Sequence, residues 1–389
     1  MHILRLLAAS LFERGIGLGV PRKAPTSDLL NIPHTREYFY VGGQYVNIGV
    51  RLYTPNPPQP PLTHSYKLGQ IYVEKLSPLH PTTKPALIFI HGAAQTGTNW
   101  LNTPDNRPGW SHYFLSKGYT VYLSDQPERG RSSWYPGPGT GAMLPLWVSQ
   151  IESYFTATAE HSLWPNAYLH TQWPGTGKKG DPIFDNFYAG QVQFQIESRR
   201  SEELNTLAYT ALIDKIGADV YVVTHSQSGP YGWQIGDKRP NKVRGIVTME
   251  PAGPAFFDTP PAPPTGSVRD FGITELPIQY TPSAGENGTR LETIVVKARN
   301  VNSTNCVMQR EPVKRLENLR RIPVLMLTGE ASYHMAYDYC TAGFMRQAGV
   351  KVEHVELGDV GVHGNGHMMF MEKNNLDIAE RVHDWLEKH

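Results

Sequence analysis

The residues with the clearest chemical potential lie in Thr224-His225-Ser226-Gln227-Ser228-Gly229, directly after the strand-like run Asp219 to Val223 and ahead of a helical pattern. A serine on a sharp strand-to-helix turn exposes its hydroxyl, and the helix N-terminus favours negative charge developing beside it. Such turns usually carry small residues two before and two after the nucleophile, as in G-x-S-x-G. Here those positions are Thr224 and Ser228, a loose match. Taking Ser228 as the nucleophile would put Ser226 and Pro230 at the flanks and push the turn into the helix, so Ser226 is the candidate. A Ser-rich helix cap without catalysis would leave the partner residues that follow unexplained.

A serine nucleophile needs a base, an acid to orient that base, and donors for the oxyanion. The run Ala86 to Ile90 ends in His91-Gly92-Ala93-Ala94-Gln95-Thr96-Gly97, earlier in the chain than the serine. Preorganised donors at the oxyanion contribute roughly 3 to 4 kcal/mol each in acyl transfer. The N–H groups of Ala93 and Gln227 are the expected pair.

If the order is nucleophile, acid, base, the base is a histidine near the C-terminus. Gly361-Val-His-Gly-Asn-Gly-His-Met-Met-Phe-Met offers His363 and His367. His367 follows a Gly-Asn-Gly turn and leads into an apolar stretch, so it can hang from a loop over a sheet and is the expected base. Other histidines, such as His112 and His161, are read as structural or solvated. Two strand ends offer the acid: Glu250 in Val247-Thr-Met-Glu-Pro-Ala-Gly and Glu330 in Leu327-Thr-Gly-Glu. The acid more often follows the later strand, which favours Glu330; Glu250, 24 residues after Ser226, also reaches the histidine loop. The residues alone leave that choice open.

These side chains need a frame. Continuous apolar runs at Ala86–Ile90, Thr120–Ser124, Val220–Val223, Ile246–Met249 and Val324–Thr328 read as buried strands. Helical patterns at about Gly109–Lys117, Ser201–Ile216, Pro230–Asp237, Tyr333–Ala348 and Asn375–Lys388 alternate with them, which forces parallel pairing. Tyr38–Val46 and Gln70–Lys75 read as antiparallel edge strands, with the Pro-rich stretch Pro55–Pro61 as the loop between. The expectation is one α/β unit over residues 1–389, a mostly parallel sheet with helices on both faces.

Two segments interrupt the alternation. Residues 133–200 hold 12 aromatics in 68 positions, about 18% against 11% for the whole chain, which suits a lid-like insertion over an apolar or aromatic ligand, although rings of this kind also simply pack an insertion onto a sheet. Residues 252–318 are rich in Pro and Gly, with Pro260-Pro261-Ala262-Pro263-Pro264, and read as a long ordered loop or a lid edge.

Composition narrows the partners. With 36 basic against 35 acidic residues and a net charge of +1, no excess of Lys and Arg marks a nucleic-acid or anionic membrane surface, so a small-molecule substrate is expected. No stretch reaches the roughly 20 apolar residues that span a bilayer. A homodimer is compatible with the sequence. Met1–Phe12 has a short apolar run interrupted by Arg5 and no small-x-small cleavage site, so it reads equally as a truncated signal or an amphipathic helix. Cys306 and Cys340 are able to form one disulfide, and Asn287-Gly-Thr and Asn302-Ser-Thr are glycosylation sequons. Reduced cysteines and chance sequons fit as well, so cytoplasmic and secreted locations both stay open. The 34-residue cysteine spacing, with no CxxC or HExxH, argues against a metal site.

Taken together, Val41-Gly-Gly-Gln-Tyr-Val, Phe89-Ile-His-Gly, Thr103-Pro-Asp, Gly118-Tyr, Asp125-Gln with Arg129-Gly-Arg-Ser, Thr224 to Gly229, Met249-Glu250-Pro251 and Gly361 to Met369 follow in order from about residue 38 to the C-terminus. The sequence resembles the atypical α/β-hydrolase esterases whose elbow reads His-Ser-Gln-Ser-Gly and whose acid is a glutamate after the sixth strand. The resemblance implies the α/β-hydrolase fold, Ser226 as nucleophile, Glu250 as acid, His367 as base, Ala93 and Gln227 as oxyanion donors, and no cofactor. The expected reaction is cleavage of a carboxylic ester through an acyl-enzyme. The sequence is also similar to α/β-hydrolases of fungal natural-product pathways, which implies condensation or cyclisation of a bulky intermediate as the alternative. Both long segments depart from the resemblance, so it says nothing of pocket shape.

Overall fold

The computed structural model describes residues 32–50, 62–80, 83–135, 140–258, 268–284 and 290–389. Met1–Phe12, the Pro55–Pro61 stretch, Pro260–Pro264 and the Asn287 sequon lie outside the described residues.

An eight-stranded sheet forms the frame. Its strands are β1 (His34–Val50), β2 (Leu62–Pro78), β3 (Ala86–Ile90), β4 (Val121–Asp125), β5 (Val220–His225), β6 (Val243–Met249), β7 (Val324–Thr328) and β8 (Val352–Glu356), in the spatial order β1-β2-β4-β3-β5-β6-β7-β8. β1 and β2 are antiparallel to each other and β2 to β4, and every pairing from β4 to β8 is parallel. The five buried strands read from the sequence are all present. β8 is the addition: Val352-Glu-His-Val-Glu is half-exposed at the sheet edge and carries too few apolar residues to register as a buried run.

Successive side chains of a strand point to opposite faces, and here each face meets its own core. Ile88, Ile90, Val220 and Val222 pack with Trp233, Ile235 and Phe344 on one side. Leu87, Phe89, Tyr221 and Val223 pack with Trp110, Phe114, Phe370 and Trp385 on the other. Both faces of β3 and β5 are therefore apolar, which is why they read as continuous runs rather than as alternation. Helices α1 (Trp110–Ser116) and α5 (Asn375–Leu386) cover the second face, and α2 (Ser198–Ile216), α3 (Gly229–Lys238) and α4 (Asp338–Gln347) cover the first.

The pattern over Tyr333–Ala348 predicts one helix, and the structure divides it. A short 3-10 turn, Tyr333–Ala336, ends at Tyr337, whose backbone (φ −148°) leaves the helical region before α4 begins. His334 and Asp338 face each other across the break, at 2.8 Å from Nδ1 to Oδ1.

Segment 133–200 is built of short pieces, including the Met143–Leu144/Phe194–Gln195 ladder and the helix Pro182–Ala189. Phe155, Trp173, Phe184 and Phe187 are buried in the second core, whereas Trp147 and Tyr168 are exposed, so the aromatic enrichment is partly packing. Segment 252–318 contains two small ladders, Tyr280–Thr281 with Arg315–Leu316 and Thr293–Val296 with Cys306–Gln309. Cys306 is disulfide-bonded to Cys340 in the first turn of α4. Among the described residues no helix is long and apolar enough to cross a membrane.

Candidate active site

Ser226 stands where β5 ends and α3 begins, with a positive φ of 55°. A left-handed conformation is costly for a non-glycine residue and persists only where the surroundings over-determine it. Ser228 supplies much of that restraint: its buried hydroxyl accepts from the His225 N–H at 2.9 Å and lies 2.9 Å from the Ile90 carbonyl, tying the turn to β3. The chain also closes tightly on Gly229, where a Cβ would lie 2.3 Å from that of Pro251.

Thr224, the other nonstandard flank, is accommodated from the helix side. A Cβ on Gly232 would meet Thr224 Cγ2 at 2.9 Å, so a bare α-carbon on α3 leaves the space that small residues before the serine usually leave. The Thr224 hydroxyl donates to Thr248 Oγ1 at 2.9 Å, satisfying a group that burial would otherwise orphan.

Glu250 follows β6 and also has a positive φ, 47°. Its carboxylate is fully buried and accepts from the Gly329 N–H and the Ser332 hydroxyl at 2.7 Å each, and from His367 Nδ1 at 2.5 Å. The histidine loop is held in turn. The Gly366 N–H and the Asn365 amide donate to Glu372, the Ala331 N–H donates to the Asn365 carbonyl, and His225 Nε2 donates to the His367 carbonyl at 3.0 Å. Glycine at 364 is a requirement, since its φ is 77° and a Cβ would meet Thr171 Oγ1 at 2.1 Å.

The His367 ring is 2% exposed and boxed by other rings: His225 at 4.5 Å between centroids, His334 at 5.0 Å, Phe155 at 5.1 Å and Tyr333 at 5.2 Å. Burial, then His225 and His334, hold its imidazole well below the usual 6.5. Burial likewise pushes the Glu250 carboxyl well above 4.5, Asp338 adding to it, while the bonds from Ser332 and Gly329 pull the other way. His225 and His91 are both lowered to about 3, chiefly by burial.

The competing residues pair with each other. Glu330 receives His363 Nδ1 at 3.0 Å and the Gly364 N–H at 2.9 Å, on a histidine whose side chain is 65% exposed. That pair lies at the surface, away from the buried Glu250–His367 bond.

At the loop after β3, which carries the expected donor Ala93, His91 Nδ1–H donates to the Gly92 carbonyl at 2.9 Å and its Nε2 accepts from the Gln126 N–H at 3.0 Å, an arrangement open only to the neutral ring. Gln126 Nε2 donates to the His91 carbonyl. Arg129 donates to the Gly92 carbonyl at 3.0 Å and to Gln227 Oε1 at 2.6 Å. Asp125 accepts from the Gly97 N–H and from Arg131. The turn after β4 thus braces the loop after β3, a role the sequence reading does not assign; the charged cluster Asp125 to Arg131 at the end of a buried strand is the signal for it.

Glu250, His334 and His367 bring one carboxylate and two imidazoles within 4.8 Å of one another. A metal ion there would have to displace the 2.5 Å Glu250–His367 bond. A cleft of about 520 Å³ opens beside the loop after β3, lined by uncharged side chains including Gln95, Asn99, Asn186, Phe187, Gln191 and Met371.

A serine on a strained turn, a buried carboxylate–imidazole bond and a braced loop of backbone donors can together carry acyl transfer. Comparison with known proteins gives a consistent result. The profile of the Alpha/beta hydrolase family matches residues 87–381. A curated relative, the probable secreted lipase phiG of Fungal sp. (strain ATCC 74256), is 54% identical over 351 residues, covering 90% of this chain and 89% of the relative. Among solved structures, a novel bacterial esterase aligns with a TM-score of 0.58 at 22% identity, covering 92% of this chain and 97% of the esterase.

Proposed function

The chain belongs to the alpha/beta hydrolase family, and from that premise we propose that it is a lipase- or esterase-type enzyme that cleaves a carboxylic ester through an acyl-enzyme on Ser226. The observation that carries this reading is the 2.5 Å bond between His367 Nδ1 and Glu250, buried at the end of the sheet that also presents Ser226 at a φ of 55°.

The steps follow from the atoms. Glu250 accepts from His367 Nδ1, which leaves Nε2 as the basic nitrogen. Nε2 takes the proton as Ser226 Oγ adds to the ester carbonyl, and the N–H groups of Ala93 and Gln227 receive the oxyanion. Collapse expels the alcohol, which takes the proton from Nε2. Water then adds to the acyl-enzyme by the same route, and the acid leaves with Ser226 restored.

The substrate is proposed to be an uncharged ester with an apolar or aromatic part. Phe155 stacks on His367, and Tyr154, Trp164 and Tyr333 pack together next to it, forming an apolar cover of which Phe155, Tyr154 and Trp164 come from segment 133–200. That segment is fastened by Trp164 Nε1 to the Ala331 carbonyl at 2.9 Å and acts as the lid. Secretion is proposed from the Cys306–Cys340 disulfide and from the 54% identical relative, a probable secreted lipase.

The test is a fluorophosphonate probe on the folded protein. Stoichiometric labelling that maps to Ser226 and vanishes in Ser226→Ala supports the mechanism. No labelling, or turnover that survives in Ser226→Ala, overturns it, the latter in favour of acid–base condensation or cyclisation.

A further inference from the structure

Arg129 is 1% exposed, and among the described residues no carboxylate lies within ion-pair distance of it. Its acidic neighbours are engaged elsewhere: Glu128 with Arg200 at 2.8 Å, Asp125 with Arg131 at 2.8 Å. Burying a cation without a counter-ion is costly, and such groups are retained where they do something a neutral residue cannot. The hydrogen bonds of this guanidinium go to the Gly92 carbonyl and to Gln227 Oε1, and the Phe194 ring lies 5.7 Å away.

These two acceptors belong to the two backbone segments expected to carry the oxyanion donors. The Gly92 carbonyl takes one bond from Arg129 and one from His91, so both of its lone pairs are used and the peptide plane cannot turn. The Gly92–Ala93 bond is trans, and in a trans peptide the N–H points opposite to the C=O. Holding the carbonyl on the Arg129 side therefore aims the Ala93 N–H the other way. Across the site, the bond to Gln227 Oε1 fixes the residue that follows the serine.

We propose that Arg129 is the positioning residue of the oxyanion hole: one buried guanidinium spans Gly92 and Gln227, sets the direction of the Ala93 N–H, and holds an unneutralised positive charge behind that peptide. This rests on the acyl-enzyme reading above. In a dry site such a charge favours the tetrahedral intermediate over the planar ester, because only the intermediate carries the charge it attracts. Lysine keeps the charge but lacks the planar fork, so it cannot hold both acceptors in one geometry.

The experiment compares wild type, Arg129→Lys and Arg129→Gln in kcat and KM on a p-nitrophenyl ester and in affinity for a boronic acid, which forms a tetrahedral adduct on the serine. Rates are divided by the number of sites that a fluorophosphonate labels. The expected result is a loss of about 10²- to 10³-fold in kcat for Arg129→Gln, a parallel loss in boronate affinity, a KM within about threefold, and an intermediate loss for Arg129→Lys. A purely structural role would lower the labelled fraction or the melting temperature and leave kcat per labelled site and boronate affinity unchanged. That result overturns the proposal, as does a folded Arg129→Lys with wild-type values if Arg129→Gln fails to fold. Absence of labelling in the wild type would instead remove the acyl-enzyme reading itself.

Discussion

The imidazole of His334 lies nearly parallel to that of His367, with ring centroids 5.0 Å apart and an angle of 11° between planes. His334 cannot swing away, because Asp338 holds its Nδ1 at 2.8 Å, and Thr328 donates to the other oxygen of Asp338 at 2.7 Å. The groups facing His367 from the packed elements are Glu250, His225, His334 with Asp338, and Tyr333, with Glu372 behind the loop paired to His170 at 2.8 Å. Of these, His225 and His334 act with burial to keep His367 neutral.

A base works only when unprotonated. Since the His367 pKa lies well below 6.5, the fraction of active base stays high as pH falls past 6.5 and is lost only as pH falls through the lowered pKa. The acid limb of kcat/KM is expected below pH 6.5. Replacing His334 with Gln, which can still donate to Asp338, removes one of the lowering influences and is expected to move that limb to higher pH. A limb at or above 6.5 in the wild type, or one that His334→Gln leaves in place, would refute this account.

The two candidate acids make a separable pair. Glu250→Gln keeps the shape but removes the acceptor that fixes the His367 tautomer, and is expected to lower kcat by about 10³- to 10⁴-fold. Glu330→Gln disturbs an exposed contact with His363 and is expected to stay within about threefold of wild type, since solvent-exposed ion pairs contribute about 0–1 kcal/mol. Steady-state kinetics on one ester decides, and a larger loss in Glu330→Gln would reverse the assignment.

The hydrogen-bond partner of His367 shows what kind of information a sequence holds. Buried strands and the serine turn are legible because burial on both faces leaves a continuous apolar run and a strained turn leaves a short motif. The pairing of His367 with Glu250 rather than Glu330 depends on where two loops meet after the chain has folded, which the residues around each glutamate do not record. β8 escapes for a different reason, since in an edge strand such as Val352-Glu-His-Val-Glu charged and polar residues break up the two valines. The break at Tyr337 escapes too, because the apolar spacing on both sides fits one helix and only tertiary contacts divide it.

The neutral histidines also carry a pH-dependent share of the stability. His91 and His225 have folded pKa values of about 3 against 6.5 when exposed. With the folded value depressed, the unfolded chain binds more protons between these limits, so their contribution is fully present above pH 6.5 and is lost as pH falls toward 3. Each group gives a slope of about 1.4 kcal/mol per pH unit inside that window. Glu202, raised to about 7, and Glu250, raised well above 4.5, slope the opposite way above pH 4.5, so the histidine contribution is read as a difference between two proteins. Guanidinium unfolding at pH 7, 5.5 and 4.5 is expected to show that stability falls more steeply with falling pH in the wild type than in His91→Gln, by about 1.4 kcal/mol per unit. Equal slopes would contradict the neutral, hydrogen-bonded His91.

The contact between Thr224 and Gly232 permits a sharper test of why this serine turn tolerates a threonine. A Cβ at 232 would lie 2.9 Å from Thr224 Cγ2, but 3.6 Å from Ile246 Cγ2 and 3.7 Å from Thr224 Oγ1, so one methyl group accounts for the conflict. Gly232→Ala alone is expected to destabilise by about 1–3 kcal/mol through overpacking and to slow Ser226 labelling as the turn shifts. Thr224→Ser removes that methyl and keeps the hydroxyl bonded to Thr248 at 2.9 Å. In the double variant Gly232→Ala/Thr224→Ser the clash is gone, and the alanine contributes about 1 kcal/mol of helix propensity in α3. Chemical unfolding of the four proteins of this cycle is therefore expected to show the double variant more stable than Gly232→Ala by at least about 1 kcal/mol, with labelling restored. Additive losses would mean that the glycine serves the helix–sheet approach as a whole and that the threonine is held by something else.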